Sequence, residues 1–82
     1  MGSYKSRAIR LAEAVERITS GKQDIEELMD ELQNWLDNMP ENLQQSEKAE
    51  QLDDAISLLQ TTIEGIDDAV SEAESVEFPG MF

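Results

Sequence analysis

Two pairs of adjacent carboxylates, Asp53-Asp54 and Asp67-Asp68, and three arginines, Arg7, Arg10 and Arg17, are the side chains whose types and spacing could carry chemistry. Paired carboxylates can hold a metal ion or act as the acid and base of glycoside cleavage. Arginines a turn or two apart can grip a phosphate through their planar donor forks. Adjacent residues on a helix point about 100° apart, however, and no loop carries the alternating oxygen ligands of a calcium hand. The sequence has no cysteine and no histidine, which removes disulfides, thiolate zinc sites and imidazole bases. Its serines and threonines have no histidine and no convincing lysine beside them and its four glycines are scattered singly, so it offers neither an activated nucleophile nor a phosphate loop. No catalytic residue, metal site or cofactor is expected.

What remains is binding. The simplest reading of Glu50, Asp53, Asp54, Asp67 and Asp68 is a solvated face. The sharper expectation is a ribbon that docks on a basic protein surface and occludes it. The arginines read as ion-pair partners for acids of this chain or of a second subunit. In an alternative they sequester an anionic nucleotide, and a third reading is a structural assembly factor. The net charge of −13 is unevenly placed: five of the six cations lie in the first 22 residues, and 17 of the 19 acids lie from Gln23 onward. Like-charge repulsion therefore disfavours direct nucleic-acid binding and favours a basic partner.

These residues need elements to hold them. An apolar repeat with alternating steps of three and four runs through Tyr4, Ala8, Leu11, Val15, Ile18, Lys22, Ile25, Met29, Leu32, Leu36 and Met39. A second runs through Ala49, Leu52, Ile56, Leu59, Ile63, Ile66, Val70 and Ala73. Such a repeat is the seam of a helix packed lengthwise on another. The sequence thus predicts an all-α fold, an antiparallel hairpin of two long heptad-patterned helices forming a single domain over residues 1–77. The helices are expected at about 4–38 and 47–75, with the turn at 39–46. Pairing about that turn sets Leu36 near Ala49, Met29 near Ile56 and Val15 near Val70, with Lys22 opposite Ile63.

Ser3 or Ser6 can cap the first helix, and Ser46 the last. Ser20 followed by Gln23 fits a capping box, which favours a break near Gly21. The seam passes from Ile18 through Lys22 to Ile25 without a slip, which favours one continuous or bent helix instead. Asn38 can take a left-handed cap, Pro40 can open a single helical turn, and Leu43 is expected to tuck under Trp35 or Leu36. Ile9, Leu28, Trp35 and Leu58 lie off the seam and leave a second apolar face. In so short a chain that face predicts self-association into a dimer or higher bundle. No apolar run approaches a membrane span and no signal-peptide core is present, so the chain is expected to be soluble and cytoplasmic, without membrane contact.

Trp35 reads either as core or as a binding anchor. Residues 78–82 form an apolar tail in which Phe78, Met81 and Phe82 either fold back over the open end near Tyr4, Ala8 and Leu11 or anchor a partner. The string from Trp35 to Leu52, Trp-Leu-Asp-Asn-Met-Pro-Glu-Asn-Leu-Gln-Gln-Ser-Glu-Lys-Ala-Glu-Gln-Leu, resembles a motif of short helical accessory proteins encoded by bacteriophages. The resemblance implies a non-enzymatic protein of the bacterial host cytoplasm. It points to the kind that inhibits host defence or regulatory proteins by occlusion, DNA mimicry or sequestration of a signalling nucleotide.

Overall fold

Ser6 sets the start of the first helix. It sits in an extended conformation, and its hydroxyl accepts the Ile9 N–H at 3.2 Å, supplying one of the acceptors that a helix N-terminus lacks. The computed structural model describes residues 5–80. The helix α1 spans Arg7–Asp37, so it starts three residues later than the seam alone suggests, because the Ser6 hydroxyl fixes the boundary. It runs unbroken through Gly21. The Ser20 box is not used: residues on both sides of Gly21 stay in phase on the packed face, and that packing outweighs the ~1 kcal/mol cost of an internal glycine.

Asn38 closes α1 without a left-handed residue. Its φ is −94°, and both its backbone N–H and its side-chain amide donate to the Asn34 carbonyl, at 3.0 and 2.8 Å. The Asn34 carbonyl thus takes two donors while the Met39 N–H closes on the Leu36 carbonyl at 3.2 Å, and the sharper cap is unnecessary. Pro40, which cannot continue the ladder, precedes a 3-10 turn at Glu41–Leu43. Leu43 does not tuck beneath Trp35 or Leu36; it stays 45% exposed, its carbonyl accepting the Ser46 hydroxyl at 2.6 Å. Ser46 in turn accepts the Ala49 N–H and starts α2, Glu47–Glu74. Glu47 and Glu50 fall in its first turn, where the helix dipole favours acid.

The two helices pack on each other as an antiparallel hairpin. Ala49, Leu52 and Ile63 are buried. Most other seam residues, from Leu11 to Leu36 on α1 and from Ile56 to Ala73 on α2, are half-buried. Ile18 is an exception at 45% exposed, because the residues that should flank it, Ala14 and Gly21, are too small to cover it. The molecule measures 67 × 26 × 13 Å, two helices wide and one helix thick. A single layer has no second wall to close a core, so its two broad sides stay in water.

With seam residues at heptad positions a and d, antiparallel pairing brings position g beside g along one broad side and e beside e along the other. The structure has this order. Lys48 and Trp35, both at g, meet with the ammonium 5.9 Å from the ring centroid. On the opposite side Lys22, at a, reaches Asp67, at e.

Candidate functional site

The most engaged polar group is Lys22, the one cation in the seam. Expected opposite Ile63, its ammonium stretches one turn further and donates to the Asp67 carboxylate at 2.6 Å, with Glu26 of its own helix at 3.9 Å. The stem covers apolar seam while the charge leaves it. Hydrogen bonding to Asp67 raises the Lys22 pKa above its ordinary value; partial burial opposes the shift, and the charges of Asp67 and Glu26 add to it. Asp67 is thus tied to the fold. Its presence in the acidic ribbon therefore carries a structural component that residue type alone did not separate, although a lysine at a seam position was the signal.

The other members of the ribbon, Glu50, Asp53, Asp54 and Asp68, are exposed, and none forms an ion pair among the described residues. They occupy b, e and f, the outer edge of α2 and the side away from Trp35. Asp53-Asp54 and Asp67-Asp68 are fourteen residues apart, roughly 21 Å along the helix. They form two acidic clusters on one edge rather than one converging site. Among the described residues no group of three or more acidic side chains comes together as a metal site would require.

Arg7, Arg10 and Arg17 are exposed. The expected pairing with acids of α2 does not form among the described residues, where the ion pairs are Lys5–Glu13, Lys22–Glu26 and Lys22–Asp67. The reason is topological: Arg10 and Arg17 sit at c, turned away from α2, and their own-chain neighbours across the hairpin at c are Glu72 and Gly65. The arginines do not converge on a cavity. The concavity at that end, about 400 Å³, is lined by Ala8, Leu11, Ala12, Val15, Ala73, Val76 and Phe78 with Glu16 and Glu74.

Phe78 therefore folds back over the open end beside Ala8 and Leu11 and remains 39% exposed. Met81, Phe82 and Tyr4 lie outside the described residues. Trp35 is not core; it is 50% exposed, because position g points about 77° from the seam and nothing covers that side. Its contact with Lys48 was missed in the sequence, although both fall at g in antiparallel register. Among the described residues no helix is long and apolar enough to cross a membrane. No protein-family model, curated protein or solved structure matches the chain.

Proposed function

We propose that this chain is a non-enzymatic, stoichiometric binding protein of the phage accessory kind, acting in the cytoplasm of a bacterial host. It occludes a basic surface of a host defence or regulatory protein. The observation that supports this reading is the outer edge of α2, where Glu50, Asp53, Asp54 and Asp68 stand exposed and without ion pairs among the described residues. Unpaired surface charge of one sign steers a partner of the other sign and sets its register. The test is to isolate the protein from phage-infected cells, identify by mass spectrometry what co-purifies, and titrate that candidate with Asp53→Asn/Asp54→Asn and with Asp68→Asn. A basic-surfaced host protein bound one to one, with affinity falling about tenfold or more in the variants, is expected. No co-purifying protein, or a partner indifferent to these charges, overturns it.

Sequestration of an anionic nucleotide ranks second. Exposed Arg7, Arg10 and Arg17 favour it, but the neighbouring concavity is lined by apolar and acidic residues, a poor cradle for phosphate. Calorimetric titration of the parent and Arg10→Ala with cyclic and linear nucleotides decides this reading.

A further inference from the structure

The broad side that carries Trp35 has the pattern of a second seam. Large Leu28, Trp35 and Leu58 stand there among small Ala14, Gly21, Ala55, Gly65 and Ala69, all at g or c, and most of these residues are exposed. The hairpin exposes 6685 Å², roughly a third more than the ~4,900 Å² of a globular monomer of its mass. Two glycines on this side, Gly21 and Gly65, have no atom within 4 Å of where a Cβ would stand. The hairpin alone gives no reason for either, and glycine inside a helix costs stability.

We propose that this side is the interface of a two-fold dimer formed with a second copy of the chain, α1 lying antiparallel on α1 and α2 on α2, with the axis passing between the paired Gly21 residues and the paired Thr62 residues.

One rotation produces all the complementarity. Turning α1 end for end about Gly21 sets Ala14 opposite Leu28 of the second copy, small against large. It sets Arg10 opposite Glu31 and Arg17 opposite Asp24 of that copy, each within one residue of level. The axis position on α2 is then fixed, not chosen. Lys48 is level with Trp35, so fourteen residues further along each helix Thr62 is level with Gly21. Rotation about Thr62 sets Leu58, 68% exposed, opposite Gly65, and Ala55 opposite Ala69. Both unexplained glycines thereby receive a neighbour, and arginines without ion pairs among the described residues receive acids.

Charge argues for this occupant. Each copy carries −13, so two copies repel almost everywhere, and they attract where basic and acidic halves of α1 overlap. The other two-fold, which stacks α1 on α2 with the turns together, keeps Arg10 against Glu72 and Leu28 against Ala55, but it sets Asp24 against Leu58 and Arg17 against Gly65 and so loses half of each match. The area also suffices. The helix α1 has 31 residues, so the strip is roughly 46 Å long. With helices ~9 Å apart, it is about 18 Å wide. That covers about 800 Å² per copy, the size of a standard stable interface.

The test is charge exchange. The parent should sediment as a dimer at micromolar concentration. Chains carrying Arg10→Glu/Arg17→Glu, or Asp24→Arg/Glu31→Arg, should each be monomeric alone, with dimer Kd raised about tenfold or more. Their equimolar mixture should form a heterodimer. Circular dichroism of each chain alone confirms that it remains helical. A parent that stays a 9.2 kDa monomer, variants that self-associate as the parent does, or helical variants that fail to rescue each other overturn the proposal. If a variant does not fold, cysteine chemistry decides, since the chain has no native thiol. Gly21→Cys should oxidise to a covalent dimer, whereas Gln23→Cys, at b on the opposite broad side of α1, should not. Failure of Gly21→Cys to link, or its preferential linking to Thr62→Cys, overturns the axis.

Discussion

Ile63 and Leu58 are both branched aliphatic residues on α2, little more than one turn apart, and they should respond very differently to truncation. Ile63 is 6% exposed and Leu58 68% exposed in the hairpin. Ile63→Ala removes three carbons from the seam, a transfer loss of about 2.4 kcal/mol at ~0.8 kcal/mol per methylene. The cavity contribution should be small, because a wall one helix thick lets α1 move in or water enter. The expected cost is therefore about 2.5–3 kcal/mol, near the low end for such substitutions. A domain of this size is worth roughly 4–12 kcal/mol in total. The loss should lower the melting temperature by roughly 10–20 °C. Leu58→Ala, with two thirds of its surface already wet, should cost under about 1 kcal/mol in the isolated hairpin.

Urea unfolding followed by circular dichroism, at two protein concentrations, measures both. At high dilution Ile63→Ala should show its full loss and Leu58→Ala almost none. At concentrations where the dimer forms, Leu58→Ala should acquire a further cost, because Leu58 then loses its contact with Gly65 of the second copy, while the Ile63→Ala cost stays put. An Ile63→Ala loss under about 1 kcal/mol would mean that the seam is not what holds the helices together. A Leu58→Ala loss equal to that of Ile63→Ala at high dilution would mean that position c is not on the outside.

Two further outcomes follow from polar contacts. Ser46→Ala removes both the cap on Ala49 and the bond to the Leu43 carbonyl, and should cost about 1 kcal/mol in urea unfolding. Asp67→Asn and Asp68→Asn change net charge equally, but of the two only Asp67 holds Lys22, so at pH 7 Asp67→Asn should melt lower. The folded pKa of Lys22 is raised. Its contribution is therefore complete below the pH where unfolded lysine titrates and is lost as pH climbs through the raised value. The gap between the two variants should be steady through neutral pH and close in strong alkali. Added salt should raise both melts by screening self-repulsion and narrow the gap.

The packed face was legible because one physical rule, apolar residues recurring at the helical period, has a single solution here. The steps from Leu11 to Leu36 and from Ala49 to Ala73 never slip, so the phase across Gly21 outweighed the local capping signal at Ser20. The features that escaped depend on what lies beyond one helix. Trp35 looked like core by type, yet a single layer has nothing to lay over position g. Leu43 was the one apolar residue of the turn, yet the Ser46 and Asn38 bonds fix that corner without burying it. Asp67 was indistinguishable from Asp68 until the reach of Lys22 separated them. Arg7, Arg10 and Arg17 were expected to find acids, which is sound electrostatics, but the hairpin turns Arg10 and Arg17 away from the acids of α2.

The two long sides of the hairpin therefore have different chemistry, and that difference bears on how binding and self-association coexist. Self-pairing through g and c covers Trp35, Leu28, Leu58 and the arginines. It leaves b, e and f of α2, where Glu50, Asp53, Asp54 and Asp68 stand exposed, on the outside. With α2 lying on α2, a two-fold dimer then presents both acidic edges along the same narrow side, running in opposite directions. A partner docking on that side does not compete with the dimer interface. If a partner instead bound through the Trp35 side, each bound molecule would break a dimer, and its apparent affinity would weaken as the chain's own concentration rose. Titrating a partner at two concentrations of this protein separates these routes: an affinity independent of concentration places the partner on the acidic edge, and one that weakens with concentration places it on the Trp35 side.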